Sequence, residues 1–273
     1  VADELVSELT AIVGRREATW ICEHAAAQGV EGVAQRARGL AQRRAQGEPL
    51  QYVLGTWPFR DLELEVGSEA LIPRPETEQV VEIALGRWRE HRPGQGDVVL
   101  VDLGTGSGAI GLSMAHELAA ESPVTLWLTD RSRDALGLAR RNAERLKIEA
   151  SFGEGSWFEA LDDGLTGGVH LLVVNPPYVP IELVDRLDPV LAHEPPEALY
   201  AERGTQGAPG FSDVESVLRG APRWLAPGGI IVLEMGENQV EVAVELAWEL
   251  GFVDVRGFCD LAAKPRGVVA SIP

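Results

Sequence analysis

Apolar residues in the first stretch of the chain recur three or four positions apart, as at Leu5, Leu9, Ile12 and Val13. That is the period of an amphipathic helix. The pattern runs to about residue 46 with breaks at Gly14, Gly29 and Gly32, and predicts a small bundle of short helices. The period then shortens: Leu62, Leu64 and Val66 alternate with Glu63 and Glu65, as in a half-buried strand of a hairpin linker. In "LIPRPETEQVVEIAL" two prolines and an acidic first turn precede an apolar stripe at Val80, Val81, Ala84 and Leu85, which is how a helix begins. The polar segment 89–97 predicts a loop.

From Asp97 onward, the apolar runs "VVLVD", "VTLWLTD" and "VHLLVV" alternate with helices expected near 109–120 and 132–146. Beyond a long irregular stretch come a helix near 212–225, the strand "IIVLEM", a helix near 238–250, and the strands "FVDVRGF" and "GVVASI". Continuous apolar strands separated by helices imply an α/β fold with a mostly parallel sheet covered on both faces.

A length of 273 residues and 45% hydrophobic content supply one ordinary core and a smaller appendage. No run approaches the roughly 20 apolar residues of a membrane helix. The opening "VADELVSELT" is polar and acidic, unlike a secretory leader, so the chain is read as cytoplasmic and without a membrane partner; a monomer is expected, with no residue pattern that fixes the oligomeric state. A first residue of valine reads as a processed or trimmed start. Cys22 and Cys259 lack metal-ligand spacing, so no metal is expected and both read as packing residues.

The formal charge of −18 argues against stable nucleic-acid binding, whose affinity comes largely from neutralising phosphates. One basic cluster stands out. Arg36, Arg38, Arg43 and Arg44 read as a solvated helix face, or else as a contact surface for a partner.

The strand ending at Asp102 runs into a turn, Gly104-Thr105-Gly106-Ser107-Gly108, and then a helix. Glycines there allow a tight turn and close approach of a ligand. Asp130 ends the next strand, 22 residues after Gly108, where a carboxylate can accept hydrogen bonds from both ribose hydroxyls of an adenosine. The order G-x-G-x-G departs from the dinucleotide fingerprint, and the negative Asp102 would oppose a pyrophosphate while suiting a cationic amino-acid cofactor. S-adenosylmethionine therefore fits better than a dinucleotide. The plainer readings are a helix cap for Asp102 and a strand-end turn residue for Asp130.

"NPPY", residues 175–178, leaves a buried strand at the end where ligands collect in such sheets. Pro176 and Pro177 stiffen the backbone and lack N–H groups. The Asn175 side-chain oxygen and the Pro176 carbonyl can receive both hydrogens of a planar amino group, with Tyr178 packed against its plane. Such a frame selects an amine on an sp2 carbon, either an exocyclic base amine or a carboxamide. It would act by orientation and electrostatics rather than through a nucleophile.

Taken with "LIPRPETE" (71–78), "DLGTGSGAI" (102–110), "SWF" (156–158), "HEPPEAL" (193–199) and "LAPGG" (225–229), NPPY gives a chain that resembles, over essentially its whole length, the N5-glutamine methyltransferases of peptide chain release factors. The resemblance implies a seven-stranded, Rossmann-like class I methyltransferase domain over 71–273, a helical substrate-docking domain over 1–48 and a hairpin linker over 49–70. It implies methyl transfer from S-adenosylmethionine, leaving S-adenosylhomocysteine, to the glutamine of the Gly-Gly-Gln loop of class I release factors.

By the same resemblance, Asp102, residues 104–108, Asp130, Trp157 and Asn175 hold the cofactor, Trp157 beside the adenine. Residues 175–178 hold the glutamine, and Arg74, Glu76 and Thr77 lie over the methionine end. Trp157 has a plain alternative as a core residue, and His193 and Glu194 read as loop-closing. Two departures stand out: "ERGTQGAPGF" replaces a short Gly-Asp-Gly type turn, and Arg60-Asp61 follows Phe59 where the family has a glycine. A nucleic-acid amino methyltransferase shares the NPPY logic and is the competing enzyme reading; a non-catalytic binding module is the third.

Overall fold

The computed structural model describes residues 2–91, 96–186, 189–204 and 207–273. Residues 92–95 of the loop expected over 89–97 and 205–206 of the turn in 202–211 lie outside it, and residues 89–91 of that expected loop close a helix instead.

Helices α1 (Ala2–Val13), α2 (Arg15–Ala27) and α3 (Val33–Ala45) pack around Leu5, Leu9, Ile21, Ala37 and Ala41. The arginine cluster is used internally. Arg36 donates to the Ala25 carbonyl at 2.9 Å, Arg38 and Arg44 form paired bonds to Glu8 and Glu17, and Arg43 holds Glu48.

A short helix, α4 (Leu50–Leu54), leads into the antiparallel hairpin of β1 (Thr56–Phe59) and β2 (Leu62–Glu65), with Leu62 and Leu64 inward. The expected linker thus begins as a helix. At the hairpin tip Arg60 takes φ 49°, a left-handed conformation that glycine adopts more easily. Its backbone N–H reaches Glu78 at 3.0 Å and its guanidinium reaches Glu117 at 3.0 Å and Glu82 at 3.1 Å. These bonds account for a non-glycine residue at that turn.

A 3-10 turn over Pro75–Thr77 opens α5 (Glu78–His91), whose predicted apolar stripe is buried. The central sheet contains β3 (Val98–Leu103), β4 (Val124–Asp130), β5 (Ser151–Glu154), β6 (Val169–Val174), β9 (Leu225–Glu234), β10 (Val253–Cys259) and β11 (Pro265–Ser271). A separate two-residue pairing joins β7 (Val179–Pro180) to β8 (Tyr200–Ala201). The sheet order is β10-β11-β9-β6-β3-β4-β5, parallel except where β11 runs against both its neighbours.

Alternate residues of each central strand face opposite layers. Leu100, Leu171 and Val173 join α5 and α6 (Ala109–Leu118), while Val101, Leu172 and Val174 join α8 (Ser212–Gly220) and α9 (Val240–Glu249). Helix α7 (Arg133–Leu146) covers the β4 edge of the first layer.

Two local expectations differ from the structure, and one strand had no expectation. Strand β5, "SFGE", carries no apolar alternation because it forms the exposed sheet edge. Helix α8 ends at Gly220, with Pro222 inside a following 3-10 turn. Cys22 is buried as expected, but Cys259 is exposed: it lies on edge strand β10, where alternation turns Phe258 inward and Cys259 outward.

Candidate active site

Strand register assembles the site. Leu103 pairs with Val174 on one side and with Thr129 on the other, so Gly104, Asn175 and Asp130 leave three adjacent strands at one level. With a strand spacing of about 4.8 Å, the outer two lie about 10 Å apart. This is also where the chain order reverses, since β4 and β5 lie to one side of β3 and β6 to the other. Open α/β sheets bind ligands at that switch point.

The glycine turn is held from below. Asp102 is 1% exposed, and its Oδ2 accepts the Thr105 hydroxyl at 2.7 Å and the Gly111 N–H at 2.9 Å; Oδ1 has no partner. Burial drives this carboxyl up to about 6. Asp130 accepts the Gly106 N–H on Oδ2 at 3.0 Å and the Ser132 N–H on Oδ1 at 2.9 Å, and burial raises its pKa. Each carboxylate oxygen accepts two hydrogen bonds, so both of these retain capacity for a hydroxyl.

Gly104 has φ 70°, and a side chain there would meet the Trp157 ring at 3.3 Å. Trp157 itself takes φ 47°, and its indole N–H donates to Asp213 of α8 at 3.2 Å. Burial raises the pKa of that carboxyl.

Between these groups opens a cleft. Of the residues expected at the site, Arg74, Thr77, Gly104, Thr105, Gly106, Ser107, Asp130, Trp157, Asn175 and Pro177 line it. Asp102 lies beneath the turn, and Glu76, Gly108, Pro176 and Tyr178 are also off the cleft wall. The wall adds Ile110 from "DLGTGSGAI" and Glu197 from "HEPPEAL", together with Arg131 and Asp213, which no local motif marks.

On the NPPY side, the Asn175 side-chain nitrogen donates to the Thr77 hydroxyl at 3.3 Å. Tyr178 donates its hydroxyl to Glu234 Oε1 at 3.1 Å. Glu234 is buried and Oε2 has no close partner; burial raises its pKa, against which the Thr77 and Tyr178 hydroxyls and Arg266 act. Burial, followed by the Glu234 charge, raises the Tyr178 phenol. Gln239 donates to the Tyr178 carbonyl at 3.0 Å and to that of Pro209 at 2.7 Å.

Glu194 proves to be a link between segments. Its buried side chain accepts the Ile72 N–H at 2.9 Å and pairs with Arg74, joining "HEPPEAL" to "IPRPETE". Asn142 of α7 likewise accepts the Glu65 N–H at 2.7 Å and donates to the Ser107 carbonyl at 2.9 Å, tying the hairpin to the glycine turn.

The residues present fit S-adenosylmethionine. A carboxylate with spare capacity ends β4, the turn beside it is open because Gly104 carries no side chain, and a buried, unpaired carboxylate oxygen of Asp102 supplies negative potential beneath it.

Residues 95–251 match a family model described as a methyltransferase domain. The chain is 39% identical over 253 residues to a release factor glutamine methyltransferase of Burkholderia pseudomallei, covering 88% of this chain and 82% of the relative. It is 38% identical over 232 residues to one of Geobacter sulfurreducens, covering 85% and 74%. Among solved structures, a methyltransferase from Pyrococcus furiosus superposes with a TM-score of 0.52 at 18% identity, covering 87% of this chain and 97% of that one. The hMettl16 catalytic domain bound to a 3′UTR hairpin superposes with a TM-score of 0.56 at 16% identity, covering 89% and 82%. These structural likenesses show the fold.

Proposed function

The chain belongs to the release factor glutamine methyltransferases, and we propose that its cleft holds S-adenosylmethionine at the glycine turn and the target glutamine at NPPY. The product is a release factor methylated on the side-chain amide nitrogen of the glutamine in its Gly-Gly-Gln loop. The observation that carries the reading is the orientation of Asn175. Its nitrogen is committed to Thr77, so its oxygen is left as an acceptor, one strand away from the cofactor turn.

Bound S-adenosylmethionine supplies an electrophilic methyl group, and Asp130, Gly104 to Ser107 and Trp157 would hold it. At the substrate end, Asn175 Oδ1 and the Pro176 carbonyl receive the two amide hydrogens. A carboxamide nitrogen is a poor nucleophile because its lone pair is delocalised. Accepting both hydrogens raises the electron density on nitrogen and fixes its direction. Methyl transfer would form a carbon–nitrogen bond as the cofactor's carbon–sulfur bond breaks, leaving S-adenosylhomocysteine, and the proton released from nitrogen would pass to solvent.

The helices of residues 1–48 would dock the release factor, and 49–70 would link them to the catalytic residues 71–273. No described helix is long and apolar enough to cross a membrane, and a translation factor as substrate supports a cytoplasmic site of action. The charge of −18 favours a protein loop over a nucleic acid.

The test is methyl transfer from labelled S-adenosylmethionine to an intact class I release factor, its loop Gln→Ala variant, undermethylated DNA and ribosomal RNA in parallel. Label on the intact factor alone is expected. Label on nucleic acid would reassign NPPY to a base amine.

A further inference from the structure

Trp157 holds a backbone conformation that bulky residues rarely adopt, at φ 47°. Its neighbour Phe158 turns toward the core layer of α8, stacking on Trp224 with ring centroids 6.0 Å apart and filling the space that Gly220 leaves by carrying no side chain. Trp157 goes the other way, onto the cleft wall.

The indole is held at both ends. Its six-membered ring lies over Gly104, where an added side chain would come within 3.3 Å of it, and its N–H donates at 3.2 Å to Asp213 Oδ1. Asp213 stands in the first turn of α8, whose Val214, Val217 and Leu218 are fully buried, and its other oxygen accepts the Ser212 hydroxyl at 3.3 Å. The ring therefore bridges the glycine turn after β3 and the start of a helix fixed to the core. We infer that Asp213 is a positioning residue for the cofactor: it fixes Trp157 as the wall against which the adenine of S-adenosylmethionine lies. This rests on the cofactor reading above.

The argument is one of donor count and side-chain freedom. An indole has a single hydrogen-bonding group, which only donates, and a carboxyl oxygen accepts it in either protonation state. With that bond removed, no hydrogen bond selects the ring's direction, and a side chain on a strained backbone at an open cleft regains other rotamers. The adenine must then order the ring as it binds, and that cost is read as lost cofactor affinity. The methyl end and NPPY are untouched, so the step that follows binding keeps its rate.

The experiment measures S-adenosylmethionine affinity by calorimetry, and kcat and KM on an intact release factor, for the unmodified enzyme, Asp213→Ala, Asp213→Asn, Trp157→Phe, Trp157→Ala and the double variant Asp213→Ala/Trp157→Phe. Trp157→Ala must weaken cofactor binding; if it does not, the adenine lies elsewhere, and the cofactor reading of Trp157 falls together with this inference. Given that loss, Asp213→Ala is expected to weaken the cofactor about 3- to 10-fold, the scale of one net hydrogen bond. Its kcat at saturating cofactor and its KM for the factor should stay within about twofold. Asp213→Asn keeps an oxygen for the indole N–H and should bind the cofactor within about twofold of the unmodified enzyme. Trp157→Phe keeps a ring without the N–H and should lose affinity. Adding Asp213→Ala to it should change affinity by less than about 1.5-fold, because Asp213 acts through Trp157.

A loss in Asp213→Asn as large as in Asp213→Ala would overturn the inference, as would cofactor affinity of Asp213→Ala equal to that of the unmodified enzyme. Multiplicative losses in the double variant would also overturn it, by showing that the carboxylate acts independently of the ring. If Asp213→Ala fails to fold, Trp157→Phe binding the cofactor as tightly as the unmodified enzyme would overturn it by itself.

Discussion

The two halves of the cleft are built in opposite ways. On the cofactor side, the two carboxylates close onto the glycine turn itself: Asp102 meets Thr105 and Gly111, three and nine residues on, and Asp130 meets Gly106, 24 residues back, although Trp157 is held by Asp213 at a separation of 56. On the substrate side, the decisive pairs span the chain. Asn175 meets Thr77 at a separation of 98 residues, Tyr178 meets Glu234 at 56, and Arg74 meets Glu194 at 120. A local device can be read as a motif. A device assembled from four distant segments shows its members singly, NPPY by its chemistry and the segments of Arg74, Thr77 and Glu194 by resemblance, and hides how they pair.

This contrast predicts that damage separates by side. The largest effect falls on the substrate side: Asn175→Ala removes the acceptor for the amide hydrogens and should cut kcat by about 10²- to 10³-fold, the scale of losing one preorganised hydrogen-bonding group. Cofactor affinity by calorimetry should remain within a few-fold. A comparable loss of cofactor binding would mean that the two halves are one unit.

Asp130→Ala should do the converse, weakening S-adenosylmethionine binding by about 1 to 3 kcal/mol as its hydrogen bonds are lost. Turnover at saturating cofactor should change little. If the affinity were unchanged, the ribose would lie elsewhere.

The glycine turn also has a stability signature. The Asp102 carboxyl titrates at about 6 in the folded chain against an ordinary value of 3.8, so the native state binds the extra proton between those values. Stability must therefore fall as pH rises from about 4 to about 6 and stay level above that. At 1.36 kcal/mol per unit, the cost is on the order of 2 to 3 kcal/mol. Asp102→Asn cannot titrate. The difference between its urea stability and that of the unmodified chain should shift in favour of the variant by that amount between pH 4 and pH 7. A constant difference would show that the buried acid is already ionised at pH 4.

Most of the architecture was legible because burial imposes period: the apolar runs of β3, β4, β6, β9 and β11 had to be strands covered on both faces. Edge strand β5 was not, since only Phe152 packs inward and its other residues carry no pattern. Gly104 and Asp130 were legible through spacing. Glu234 was visible only as the last polar residue of an apolar strand, and its place beside Asn175 is one that register creates and sequence separation conceals. Glu194 was noticed beside His193, but its partners, Ile72 and Arg74, lay over a hundred residues away.

The arginine cluster carries the same lesson in reverse and gives the smallest prediction. Four arginines close together in sequence suggest a shared surface, but each finds its own partner within the N-terminal segment. Arg44 reaches Glu17 with two bonds, at 2.8 and 3.2 Å, and both side chains are only about a quarter exposed. Arg44→Ala breaks a helix-to-helix tie and should lower stability by about 0.5 to 1 kcal/mol, the upper part of the range for partly exposed pairs. Methyl transfer to an intact release factor should be unaffected once the measurement is made well below the melting temperature. If transfer fell several-fold while the melting curve stayed in place, Arg44 would be touching the factor, and the charge cluster would belong to the substrate side of the comparison.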